Sequence, residues 1–142
     1  MTPRINIVVL GVEDIALATA FYEKLGFVKS QGASNPNVTF FKGAGCVLGL
    51  FGKEPLVEDA CVRDHWTGQG GMSLAQNLES ETQVDAFIAL AEKSGAKILK
   101  PAVKTFWGGY SGYFADPDGH VWEIAHNPFF QINDKGLLEL PD

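Results

Sequence analysis

The sequence predicts an α+β fold of two tandem βαβββ modules whose sheets curl around a shared cleft. Three observations carry this. Strand-like and helix-like segments run in one order through the first half, and the second half repeats that order. The two helical segments open on capping residues, Asp14 and Ser80, that stand 66 residues apart, and each closes on a glycine, Gly26 and Gly95. A long-period echo of this kind marks duplicated units that complete one architecture together. Lastly, the final third reads as strand, tight turn, strand, which closes the second unit as a hairpin.

In the first module, Arg4 to Val12 is apolar and β-branched and reads as a strand. Asp14 suits the N-cap that follows, because its carboxylate can accept from the free amides of the first turn. Ile15, Ala18, Phe21, Tyr22 and Leu25 recur at helical spacing and make one apolar face. Gly26 fits the left-handed position just beyond the last turn. Three strands are predicted next, Phe27–Gln31, Val38–Lys42 and Cys46–Phe51, with Gly43-Ala-Gly45 as the turn between the last two. Gly52 to Gly70 has no clear period and holds Pro55 and the Arg63-Asp-His-Trp66 cluster. It reads as the connection between the halves, long enough to act as a flap over a site.

The second module opens with a strand over Gly71–Leu78. Ser80-Glu-Thr-Gln83 has capping-box spacing, in which Ser80 and Gln83 satisfy each other's free amides. Val84, Phe87, Ile88 and Ala91 form the apolar face of the helix. Ala96–Lys100 is a strand stopped by Pro101, and Tyr110–Ala115 with His120–Ala125 make the closing hairpin. Asp116-Pro-Asp-Gly119 between them matches a type I turn, with Asp first, Pro second and Gly fourth. The modules thus span about 4–52 and 71–128, joined by 53–70 and followed by a tail, 129–142. Phe129, Phe130 and Leu137–Leu140 in that tail suit packing onto another surface, such as a second subunit.

Composition narrows the function classes. At 142 residues the chain has the length of a single domain with a real core. The net charge of −6 lacks the basic face that nucleic acid would need, and it mildly suits a cationic ligand. No apolar run approaches a membrane span, and the opening residues lead straight into a strand rather than a signal peptide. A cytoplasmic location follows as the expectation, with Cys46 and Cys61 as free thiols.

Phe21-Tyr22 with Leu25-Gly26-Phe27 in the first module, and Asp116-Pro-Asp-Gly119 with Glu123 in the second, resemble the vicinal oxygen chelate superfamily. Glyoxalases, extradiol dioxygenases and the fosfomycin and bleomycin resistance proteins belong there. The resemblance covers roughly residues 4–128 and implies the cupped fold, a small-molecule ligand and a homodimer, but no single activity. In metal-dependent members of that superfamily, four strand positions supply ligands. Carried over, they fall on Ile7, Gly49, a residue near Gly71, and Glu123, so only Glu123 keeps a ligand-type side chain. A metal cofactor is therefore not expected, although the resemblance leaves a divalent ion open.

Alternation along the last strand places His120, Trp122, Ile124 and His126 on one face and Val121, Glu123 and Ala125 on the other. Glu123 should thus look into the cleft without either histidine. There it can serve as an acid or base, anchor a ligand amine or hydroxyl, or simply pair with a tyrosine hydroxyl or a backbone amide. Trp107 in the Trp-Gly-Gly-Tyr-Ser-Gly run, one of Tyr110 and Tyr113, and Phe51 on the face of Gly49 are the expected aromatic lining, with a loop anchor over the core as the alternative for Trp107. His65 stands where the connection could fold over the cleft, or is an exposed loop histidine. These residues favour a protein that binds a small organic ligand in an aromatic cleft without the usual metal site. A metal-dependent lyase, isomerase or dioxygenase with a rearranged site, and a metal-free enzyme with Glu123 as base, stay open beside it.

Overall fold

The computed structural model describes residues 3, 5–43, 45–63 and 71–142. They fall into two compact units, Met1–Gly68 and Gln69–Asp142. The first holds β1 (Ile7–Val12), α1 (Ile15–Lys24), β2 (Val28–Lys29), β3 (Val38–Lys42), β4 (Val47–Gly52) and α2 (Lys53–Asp59). The second holds β5 (Leu74–Asn77), α3 (Glu81–Lys93), β6 (Lys97–Lys104), β7 (Tyr110–Ala115), β8 (Val121–His126), β9 (Gln131–Ile132) and β10 (Leu138–Glu139). Strand order is β1-β4-β3-β2 in one sheet and β5-β8-β7-β6 in the other. In each, the first strand runs parallel to the last and the remaining pairs are antiparallel. The same βαβββ topology therefore occurs twice.

The helix ends form as their residues dictate. Asp14 accepts from the Leu17 amide at 3.0 Å, and Ser80 accepts from the Gln83 amide at 3.2 Å. The Gln83 side chain reaches past Ser80 and accepts from the Glu79 amide at 2.9 Å, one residue earlier than the capping box assigns. Gly26 and Gly95 sit at φ of 99° and 112°, which a side chain would resist.

Each long helix covers one face of its own sheet. Ala18, Phe21 and Tyr22 of α1 are buried, as are Leu10, Val12, Phe41, Leu48 and Leu50 of the sheet. The Thr19 and Thr39 hydroxyls, also buried, satisfy each other at 2.8 Å. In the second unit Val84, Ile88 and Ala91 of α3 lie over the face that carries Phe114, Trp122 and Ile124. Phe114 stacks on Trp122 with centroids 6.3 Å apart. Among the described residues no long helix of its own unit covers the opposite face of either sheet, although in the first unit the short α2 meets that face where Leu56 approaches Gly11.

Several elements depart from the sequence reading. The connection contains α2, whose seven residues are too few to show a period. Pro55 is tolerated there because its missing amide would be unbonded in a first turn anyway. β6 does not stop at Pro101 but runs through it to Lys104. β6 is the edge strand, where a proline's missing donor disrupts no second ladder. Its pairing with β7 slips between Ile98 and Lys100 and again between Lys100 and Val103, so the strand bulges on both sides of Lys100. Gly112 of β7 permits this: a Cβ there would lie 2.9 Å from both the Lys100 carbonyl oxygen and the Ala102 nitrogen, and 2.5 Å from Ile88 Cδ1. β2 keeps only Val28–Lys29 of its expected length, and β5 begins at Leu74 rather than Gly71. The tail forms a short hairpin, β9 with β10, and leaves Phe129 and Leu140 exposed. Cys46 is half-buried and Cys61 exposed, both as free thiols. Among the described residues no helix is long and apolar enough to cross a membrane.

Candidate functional site

The helix-free face of the second sheet is set by alternation along β7 and β8. Gly112, Phe114, Trp122 and Ile124 point to α3, so Ser111, Tyr113 and Ala115 point the other way with Val121, Glu123 and Ala125. Tyr113 stands directly opposite Glu123, and its hydroxyl donates to Glu123 Oε2 at 2.6 Å. Donating to a carboxylate holds the Tyr113 phenol above its usual range, and partial burial and the Glu123 charge push the same way. The phenol is thus held in its neutral form. Among the described residues no other group bonds to Glu123, which leaves Oε1 able to accept from a ligand donor.

Tyr110 is placed differently. It lies on the α3 side of β7, where its hydroxyl donates to Asp85 at 2.7 Å. That bond raises its phenol first of all, followed by burial and the charges of Asp85 and Glu81. Lys104 bonds Glu81 at 2.5 Å beside it, so the two contacts tie the β6–β7 hairpin to α3. Of the two tyrosines, Tyr113 is therefore the one that shares the face of Glu123.

Trp107 sits in the turn between β6 and β7. Gly109 closes that turn, donating to Thr105 Oγ1 at 3.0 Å and accepting from the Thr105 amide at 3.0 Å. A Cβ on Gly109 would lie 1.8 Å from Trp107 Cζ3, so the indole occupies the space that a side chain would take. Gly109 continues the alternate series of Ser111 and Tyr113, which places the half-buried indole at one end of the helix-free face. Phe106, at the tip of the turn, is fully exposed.

Phe51 stands opposite Gly11 and Val38 in the first sheet, half-buried on the side away from α1, in the same series as Gly49. His65 lies outside the described residues. The His120 backbone amide donates to Asp116 Oδ1 at 2.8 Å and belongs to the turn. His126 Nδ1 lies 3.0 Å from the Leu78 carbonyl, so that nitrogen carries the hydrogen and ties β8 to the chain before α3.

The four metal-ligand positions do not fit a divalent ion. Ile7 has no donor. At Gly49 a Cβ would lie 3.1 Å from the Phe40 ring and 3.3 Å from Val9 Cγ2, so the space for a carboxylate is taken by apolar groups. The third position needs a correction. The pairs Val9↔Gly49 and Ala75↔Glu123 are equivalent in the two sheets, so the counterpart of Ile7 is Ser73, two residues before Ala75, and not Gly71. The helix caps agree, since Ile7 and Ser73 each precede theirs by seven residues. A serine hydroxyl and one carboxylate fall short of the three or four protein ligands such sites use. Among the described residues no three or more His, Cys, Asp or Glu side chains cluster to hold an ion.

Comparison with known proteins gives a consistent answer. The family model described as the glyoxalase/bleomycin resistance protein/dioxygenase superfamily matches residues 4–124. The metallothiol transferase FosB of Shouchella clausii is 31% identical over 127 residues, 87% of this chain and 80% of that protein. The crystal structure of a glyoxalase-related enzyme from Fulvimarina pelagi superposes with a TM-score of 0.89 at 34% identity, covering 99% of this chain and 100% of that one. A glyoxalase/bleomycin resistance protein/dioxygenase family enzyme from Burkholderia phytofirmans shares the fold at a TM-score of 0.79 and 20% identity, over 87% of this chain and 98% of that one.

Proposed function

We propose, starting from the fact that this chain belongs to the glyoxalase/bleomycin resistance protein/dioxygenase superfamily, that it binds a small organic ligand on the helix-free face of its second module, with Glu123 as the polar anchor. The observation that carries this reading is the 2.6 Å bond from the Tyr113 hydroxyl to Glu123 Oε2. It fixes the carboxylate and leaves Oε1 for an amine or hydroxyl of the ligand. A hydrogen bond to a charged group contributes roughly 1.5–3 kcal/mol when well made. Tyr113 and Trp107 supply aromatic surface alongside it. The net charge of −6 favours a ligand whose donor is cationic. Tyr110, held by Asp85 on the α3 side, is not among the proposed contacts.

Benzylamine, an ammonium on an aromatic ring, is the simplest probe. Calorimetry should register its binding to the native protein and lose it in Glu123→Gln. Equal binding by that variant would refute the anchor.

A second reading draws on the metallothiol transferase relative: a metal-dependent enzyme in which Glu123 is one ligand among others. It requires donors beyond the four positions above. Elemental analysis of protein purified without chelators or metal-binding tags separates the two readings. About one divalent ion per chain, lost in Glu123→Ala, would favour the second. A homodimer is also proposed, supported by the exposed apolar residues Phe106, Phe129 and Leu140. Sedimentation equilibrium at the mass of one chain would contradict it.

A further inference from the structure

The edge strand β6 brings one more group to the face of Glu123. Residues that stand directly opposite one another across a ladder point to the same side of a sheet. Ala75 opposes Glu123, Glu123 opposes Tyr113, and Tyr113 opposes Lys100. These four residues form one row across four strands, with a carboxylate, a phenol and an ammonium in succession. Simple alternation would have sent Lys100 elsewhere. Ile98, two residues earlier, opposes Phe114 and lies on the α3 side. The bulge between Ile98 and Lys100 inserts one extra residue and turns Lys100 to the opposite face. The second bulge, before Val103, changes the phase again, so that Lys104 returns to the α3 side and meets Glu81. Bulges at sheet edges commonly re-aim a single side chain beside a site. Here the chain also needs Gly112 to make room for the displaced backbone. Lys100 is exposed, and among the described residues no carboxylate pairs with it; Lys24, Lys29, Lys42, Lys93, Lys97 and Lys135 share that condition, so the face that Lys100 takes is what sets it apart.

We infer that Lys100 is the anion-binding residue of the ligand site, and that the ligand is a small organic acid that also carries an amine or hydroxyl. The inference rests on the proposed role of Glu123. The donor end of the ligand meets Glu123, its body lies against Tyr113, and its acid group meets Lys100. Two strand spacings of about 4.8 Å separate the backbones that carry the two charges. The side chains reach inward from there, which suits a rigid ligand whose charged ends are one aromatic ring apart. The simpler role for a lysine on an edge strand is to discourage pairing with other chains. That role needs a charge on the strand but no particular face, and it does not account for the reversal of phase.

Two probes test this: benzylamine, which has the donor alone, and 4-(aminomethyl)benzoate, which adds a carboxylate at the far end of the ring. Both are titrated into the native protein and into Lys100→Gln, with Lys93→Gln at the end of α3 as the charge control. The native protein should bind 4-(aminomethyl)benzoate about tenfold more tightly than benzylamine, the scale of one hydrogen bond between charged groups. Lys100→Gln should remove that advantage, while Lys93→Gln should keep it. Equal affinity of the native protein for both probes, or an advantage that survives Lys100→Gln, would overturn the assignment. If Lys100→Gln leaves selectivity intact and instead raises light scattering on storage, the edge-protecting role stands in its place. Binding of neither probe would overturn the Glu123 reading, and this assignment with it. Benzylamine binding without selectivity would overturn this assignment alone.

Discussion

At the scale of single residues, the bond between Tyr113 and Glu123 makes a claim about titration. Tyr113 donates to the carboxylate, so its neutral form is favoured and its pKa is raised. The contribution of that bond to stability is fully present below the ordinary tyrosine pKa of about 10 and is lost as pH rises through the higher value in the folded protein. Titration of tyrosine absorbance should show Tyr113 ionising above pH of about 10. Glu123→Gln should bring that midpoint down, and Tyr113→Phe should delete the step while leaving that of Tyr110. A Tyr113 midpoint unmoved by Glu123→Gln would mean that the two do not touch in solution. The faces of these residues were legible from alternation alone, since β7 and β8 are regular: Glu123 lies opposite in direction to Trp122, and a tyrosine hydroxyl is its partner. Which tyrosine was not legible, because Tyr110 and Tyr113 have opposite parity and only the position of Asp85 on α3 shows where Tyr110 goes. Lys100 was hidden altogether, because two bulges change the phase of β6 and neither Pro101 nor Gly112 marks where the extra residues fall.

At the scale of elements, caps and crossings dominate. Ser80→Ala should destabilise the protein by about 1 kcal/mol, as loss of an N-cap acceptor usually does. Gly112→Ala should cost more, roughly 1–3 kcal/mol or beyond, because two of the atoms that a Cβ would strike are backbone and cannot swing aside. Urea denaturation measures both, and a Gly112→Ala midpoint equal to that of the native protein would show that β6 does not press on β7 as described. The long helices were readable because each carries a cap, an apolar face and a closing glycine at consistent spacing. The short α2 was not, since seven residues make fewer than two turns and its apolar positions, Leu56 and Val57, show no repeat. The position near Gly71 was misplaced by two residues because the strand there starts late, at Leu74. The cap-to-cap offset of the repeat, which points to Ser73, was the better guide.

At the scale of the whole molecule, duplication supplies the same sheet twice, but the two faces turned away from the long helices differ in chemistry. The first is apolar around Gly49, with Val9 and Phe40 closing on it, while the second carries the Glu123–Tyr113 pair at the equivalent register. Family membership and fold therefore do not by themselves assign the usual metal chemistry to this chain. The central claim is that the second face binds an organic ligand through Glu123 without a metal ion. The most direct measurement is a titration of benzylamine into chelator-treated, isotope-labelled protein, followed by amide and indole NMR shifts. The account predicts that Tyr113, Glu123 and Trp107 shift together and that Glu123→Gln abolishes the response. Shifts that arise only after Zn²⁺ or Mn²⁺ is added back, or that map away from these residues, would contradict it.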